Sequence, residues 1–301
     1  MLTTNRKRIG RRLAALVAML AALVLVAAGC GGRGPETGQQ AKKITIGYIA
    51  WDEAIAVSNL YKVVLQRQGY QVQLVELEAG PTYAGLARGN IDLFLDAWLP
   101  QTHADYWQQY QGQIEDLGVW YDQATLNIAV PNHLTDINSM EDLRGRGAEF
   151  GGKITGIDPG AGLTRTTRDD MIPKYGLQGE YSLQTSSTTA MLASLEKAIN
   201  ERTPIVVTLW HPHWAYAKYP IKDLADPRGA MGAAEQIHAA GRSGFRADFP
   251  DVTGMVGRFR LSDQQLAGLE NEINSAPKGQ EEAAAQRWAD AHPEVVRSFA
   301  G

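Results

Sequence analysis

The 301-residue chain holds a single cysteine, Cys30. That excludes an intrachain disulfide and any cysteine-paired zinc site, so the fold rests on its apolar core. The signatures of hydrolytic chemistry are missing too. There is no Gly-x-Ser-x-Gly elbow, no His-Glu-x-x-His pair, and no Ser-x-x-Lys at a clear site. A glycine-rich loop occurs at 156–167, but no Gly-Lys-Ser/Thr closes it, which argues against a nucleotide phosphate site. Long apolar runs are absent except at the start. LAALVAMLAALVLVAA (13–28) is 16 residues long. A membrane span wants about 20, so this run suits the core of an export signal better. Basic charge is also short. With residues 1–29 set aside, 24 basic side chains face 33 acidic ones, a formal charge of −9. Nucleic acid is therefore not the expected partner.

What is present begins with export. Arg6, Lys7, Arg8, Arg11 and Arg12 precede the apolar run, and AAGC carries small residues up to Cys30. This stretch resembles a bacterial lipoprotein lipobox, with Ala27 where leucine is commonest. The resemblance implies that Cys30 is lipidated and becomes the mature N-terminus. The other reading is an ordinary secretory signal with an incidental cysteine. GGRGPETGQQAKK (31–43) is Gly-rich and polar and reads as a flexible tether.

From there strand and helix patterns alternate. KITIGYI (43–49), YQVQLVEL (70–77), IDLFLDA (91–97) and TLNIAVP (125–131) read as strands. Helical spacing fills 53–69, stopped at Gly69, and a short helix at 82–89. A second set follows. It has a strand, glycine turn and helix over 151–176, a strand at 180–185, a helix over 187–202 with Ser187 as N-cap, and a buried strand at 203–210. The remainder, from about 230, is helical in pattern, with helices over 262–275 and 279–292. Strand–helix–strand order predicts α/β layers with a largely parallel sheet. Two sets predict two lobes with a cleft. The expected organisation is a signal peptide over 1–29, a tether over 30–42, a first lobe over 43–131, a second over 132–222, and a helical return to the first over 223–301.

Three tryptophans stand at strand ends: Trp51 after ITIGYIA, Trp98 in FLDAWLPQTH, and Trp210 in PIVVTLWHPHW. Ligands of open α/β sheets bind beyond the carboxyl ends of the strands, which places the three rings around one pocket. An indole face attracts a cation, and a quaternary ammonium, which has no N–H to donate, is held by several such faces. GIDPGAGLTRTT (156–167) frees backbone N–H groups with Gly160 and Gly162 just before a helix, a place that binds carboxylates. A small zwitterion satisfies both halves. Trp107, Trp120, Trp214 and Trp288 are assigned to packing.

IAWDE, EAGP, DAWLPQTH, GIDPGAGL, IVVT-W-PHW and GFRADFP together resemble the glycine betaine and proline betaine substrate-binding proteins of bacterial ABC importers. The resemblance runs in order over most of 43–300. It implies two hinged α/β lobes of the type II periplasmic-binding-protein kind that close on the ligand. It implies a prism of Trp51, Trp98 and Trp210 around the ammonium, with His103 and the N–H groups of Gly162 and Leu163 on the carboxylate. It implies no enzyme activity, cofactor or metal. The expected partners are the permease and ATPase subunits of an importer, met by a lipid-anchored monomer outside the cell membrane. Leu209 and His211 depart from the GWTPHW common in relatives, and His211 is expected to face water. Tyr121 and Asp52, close in sequence to cage elements, keep choline and carnitine open as ligands. The reading from a different class is an exported hydrolase that recruits His103, His211, His213 and Asp96. His211 and His213, two residues apart on a strand end, are expected to point the same way and to allow weak zinc binding.

Overall fold

The computed structural model describes residues 42–301. The signal peptide, Cys30 and the tether up to residue 41 lie outside the described residues. No helix among the described residues is long and apolar enough to cross a membrane.

Among the described residues nine strands form one mixed sheet in the order β2-β1-β3-β9-β4-β7-β5-β6, with β8 added beside β4. β1 (Lys43–Tyr48) lies parallel to both β2 (Gln71–Glu76) and β3 (Leu93–Leu99). Every residue of β3 is buried, as suits an interior strand covered on both faces. β4 is an 18-residue strand, Ile114–Pro131. Its first part pairs with β9 (Glu235–Arg242) through several register shifts, and from Thr125 onward it pairs with β7 (Val207–His211) and β8 (Ile221–Asp223). Such bulges bend and twist a strand. β4 thus leaves one half of the sheet and enters the other. The second half is completed by β5 (Lys153–Thr155), parallel to β6 (Ser182–Gln184) and to β7.

Two expectations are corrected here. The sheet is not largely parallel, because β9 and β4 run antiparallel to their neighbours at its centre. The region from 230 is not all helical, since it supplies β9. EQIHAAGR is rich in small residues and poor in β-branched ones, so its intrinsic signal is weak. Ladders to β3 on one side and β4 on the other hold it, with Ile237, Ala239 and Ala240 fully buried.

The helices fall close to expectation. The first, Asp52–Arg67, ends two residues before Gly69, which takes φ +85°. Ser187 accepts a hydrogen bond from the Ala190 N–H and caps Thr188–Glu201. Ser262 and Gln265 form a reciprocal capping box at Asp263–Asn274. The helices Asp263–Asn274 and Glu281–Ala291 pack against Asp52–Arg67, so the end of the chain returns to the first half of the sheet. An aromatic cluster of Tyr61, Phe259 and Phe299 seals that return.

Candidate ligand-binding site

The three strand-end tryptophans converge. Trp51 follows β1 and stands at the N-cap of Asp52–Arg67, Trp98 is the next-to-last residue of β3, and Trp210 is the next-to-last of β7. They are 5%, 3% and 3% exposed, yet all three rings line one pocket of about 270 Å³ of empty space. His103, Gly162 and Leu163 line the same pocket, so it gathers all six ligand-binding candidates named from the sequence. The remaining wall is Glu53, Thr102, Leu126, Ile157 and Ala161.

Each of the three indoles sends its N–H to a carboxylate. Trp51 Nε1 donates to Asp158 Oδ2, Trp98 Nε1 to Asp96 Oδ1, and Trp210 Nε1 to Glu53 Oε2, each at 2.9 Å. The polar edge of each ring is thereby satisfied and its orientation held. Two of these bonds join the halves of the sheet: Trp51 and Glu53 belong to the first half, Asp158 and Trp210 to the second. These carboxylates were missed in the sequence. The available signal was their spacing, with Glu53 two residues after Trp51 and Asp96 two before Trp98.

The same pocket also offers donors. His103 is fully buried, and its Nδ1 accepts from the Trp98 backbone N–H at 3.0 Å and faces the Tyr83 hydroxyl at 3.1 Å. A neutral imidazole that accepts at Nδ1 carries its proton on Nε2. Nε2 has no partner in the protein. Burial, helped by the positive charge of Arg165, holds this imidazole down to about 3, so it stays neutral and a donor at any ordinary pH. Beside it begins the helix Gly162–Thr166, which continues through a π-helical segment, Thr167–Met171, into Ile172–Lys174. The N–H groups of Gly162 and Leu163 fall in the first turn, where no helical carbonyl is available to them. Gly162 is glycine because of a close approach: a Cβ there would collide with the Thr102 carbonyl oxygen. Tyr106 reinforces the junction by donating to the Gly160 carbonyl at 2.9 Å.

The other candidates lie elsewhere. Trp120, Trp214 and Trp288 are buried outside the pocket wall, and Trp107 packs at the edge of the core. Tyr121 donates to Asp263 at 2.9 Å, and Asp52 accepts from Trp214 and Asn274; neither lines the pocket. His211 does not simply face water. It stacks on Tyr216 and places Nε2 2.8 Å from Asp223. His213 is buried with Nε2 3.2 Å from Asp52, so the two histidines go to different carboxylates and do not converge as a zinc site requires. Among the described residues no group of three metal-ligating side chains is present.

A two-part sheet crossed by one long strand, with a buried pocket between the parts, defines the two-lobed type II fold of solute-binding proteins. The chain belongs to the family described as the substrate binding domain of ABC-type glycine betaine transport systems, which it matches over residues 42–291. It is similar to the crystal structure of the glycine betaine/L-proline-binding protein ProX of Borrelia burgdorferi. That match has 34% identity and a TM-score of 0.81, over 86% of this chain and 96% of that one. It is also similar to lactococcal OpuAC, solved closed with glycine betaine, at 30% identity and a TM-score of 0.80, over 86% and 100%. A Listeria monocytogenes glycine betaine/carnitine transport binding protein, GbuC, is 37% identical over 167 residues. That alignment spans 55% of this chain and about half, 54%, of the relative's length.

Proposed function

We propose that this protein captures glycine betaine, or a closely related betaine, outside the cytoplasm and delivers it to an ABC importer. The observation that carries the reading is that one pocket gathers three indole rings, the unpartnered Nε2 of His103 and the first N–H groups of a helix. Trp51, Trp98 and Trp210 surround the quaternary ammonium. His103 Nε2–H and the N–H groups of Gly162 and Leu163 receive the carboxylate. Three desolvated cation–π contacts contribute about 3–6 kcal/mol. A charge-assisted hydrogen bond adds about 1.5–3 kcal/mol. Together they come to about 4.5–9 kcal/mol, against the roughly 8 kcal/mol of a micromolar site. A zwitterion uses both ends, whereas choline leaves the donors empty.

The two halves of the sheet serve as the lobes, and the bonds Trp51–Asp158 and Trp210–Glu53 form as they close on the ligand. The closed form is what the permease and its ATPase receive, and the ligand leaves chemically unchanged. The protein acts as a monomer held to the membrane by a lipid on Cys30. In cells, Cys30→Ser is expected to release the chain or leave it unprocessed. A Cys30→Ser chain that is processed and retained like the parent refutes the anchor.

Binding by the folded state raises stability by about 2.7 kcal/mol at a hundredfold excess over the dissociation constant. Glycine betaine is therefore expected to raise the unfolding temperature in a thermal-shift panel with proline betaine, carnitine, choline, ectoine and proline. A panel with no stabilising quaternary ammonium overturns the reading.

A further inference from the structure

Around the cage lies a buried set of four carboxyl groups. Asp52 and Glu53 come from the helix Asp52–Arg67, Asp96 from β3 and Glu270 from the helix Asp263–Asn274; they are 7%, 1%, 1% and 0% exposed. Among the described residues none of the four is bridged to a lysine or arginine. The one basic side chain beside them is His213, whose Nδ1 accepts from the Ala215 N–H and whose Nε2 lies 3.2 Å from Asp52. The remaining titratable neighbours are acids: Tyr83 beside Asp96, and Tyr121 with Asp263 beside Glu270. His103, on the donor side of the pocket, is neutral and buried. Asp96 Oδ2 and Glu270 Oε1 have no hydrogen-bond partner.

Four carboxylates in such a place cannot all be anions, because burying an unpaired charge is far costlier than binding a proton. Burial pushes Asp52 up, but bonds from His213, Trp214 and Asn274 outweigh it and hold Asp52 below the ordinary carboxylate range. Glu53 and Asp96 are pushed well above that range, Glu53 by burial and by Asp96, Asp96 by burial. Glu270 is pushed up as well, by burial and by Asp52. Glu53 itself lines the pocket, and Asp96 holds the edge of Trp98. A quaternary ammonium in the cage would therefore bring a permanent cation close to Glu53, which lines the pocket, and to Asp96, which holds the Trp98 edge.

Given the functional reading above, we infer that taking up the ligand's cation expels a proton from Glu53 or Asp96, so that binding tightens as pH rises. The proton leaves the carboxyl O–H for solvent, and the carboxylate left behind is balanced by the ammonium. The sign follows from linkage. The cation makes the carboxyl group more acidic in the loaded protein than in the empty one. Below the loaded value both forms keep the proton and affinity is flat. Between the two values affinity rises by up to tenfold per pH unit, and above the empty value it is flat again. The upper edge of that window lies above the ordinary carboxylate range, because both groups start there. Proton uptake by His103 against the ligand's carboxylate would have the opposite sign.

The test is calorimetric titration of the purified protein with glycine betaine, at fixed pH, in buffers of different ionisation heat. The dependence of observed heat on buffer heat counts the protons. Release of a substantial fraction of one proton is expected, with the same from choline if it binds. Glu53→Gln and Asp96→Asn keep the shape of the side chains, and at least one is expected to abolish the release. Heat of binding with no proton release from mildly acid to mildly alkaline pH overturns the inference and leaves the functional reading standing. So does full release in both variants. If a variant does not fold, the wild-type buffer series still decides. Absence of any heat sinks the functional reading and the inference with it.

Discussion

Trp98→Ala is expected to weaken glycine betaine about a hundredfold. One desolvated cation–π contact accounts for about 1–2 kcal/mol. Burial of the ligand's methyl groups against the lost ring, at about 25 cal/mol per Å², supplies the rest. The deletion also strips Asp96 of its indole donor, leaving both oxygens of a fully buried carboxyl group unpartnered. Trp98→Phe keeps a face and loses the N–H, so a smaller loss of about tenfold is expected, since each 1.4 kcal/mol is a factor of ten. Trp288→Ala is the control. That ring is buried against His292, away from the pocket, so its loss is expected to lower the unfolding temperature and leave the affinity of the folded protein unchanged. Calorimetry on the three variants checks this. Equal affinity for Trp98→Ala and Trp288→Ala removes Trp98 from the cage.

His103→Ala is expected to separate the two ends of the ligand. A hydrogen bond from Nε2–H to a carboxylate contributes about 1.5–3 kcal/mol, so glycine betaine should weaken about ten- to a hundredfold. Choline has no carboxylate, and its affinity should change little. The preference for betaine over choline therefore shrinks in the variant. Because burial holds His103 down to about 3, the imidazole adds no step to the affinity across the neutral range. Nδ1 also fastens the Trp98 backbone N–H and the Tyr83 hydroxyl, so the control that matters is choline. If His103→Ala weakens choline as much as betaine, the residue holds the Trp98 segment in place and has no role at the carboxylate.

Much of this site was legible in the sequence because its parts are local. Trp51, Trp98 and Trp210 sit at ends of apolar strand runs, and strand-end position alone put their rings on one side of the sheet. His103 follows Trp98 by five residues, close enough for its Nδ1 to reach back to the Trp98 N–H. The glycine loop announces a helix start. The partners that hold the rings were harder to read. Asp158 stands 107 residues from Trp51, and Glu53 stands 157 from Trp210, so only the tertiary fold pairs them. The antiparallel centre of the sheet was hidden for a similar reason. β9 carries Ala-Ala-Gly where a strand signal would need β-branched residues, and it is a strand because β3 and β4 flank it. Its place also explains why a chain that leaves the first half of the sheet at Thr125 returns to it after residue 235.

The central claim is that the pocket reads a positive charge with aromatic faces. It is tested most directly by comparing glycine betaine with tert-butylacetate, which has the same shape and the same carboxylate but carbon in place of the charged nitrogen. On the proposed reading both would fill the cage equally and meet His103, Gly162 and Leu163 equally. They differ only in the cation, to which the three faces contribute about 3–6 kcal/mol. Calorimetric titration of the purified protein is expected to give saturable one-to-one binding of glycine betaine and binding of tert-butylacetate at least a hundredfold weaker. Equal affinity for the two would show that the pocket selects an apolar shape with a carboxylate, and would contradict the cage.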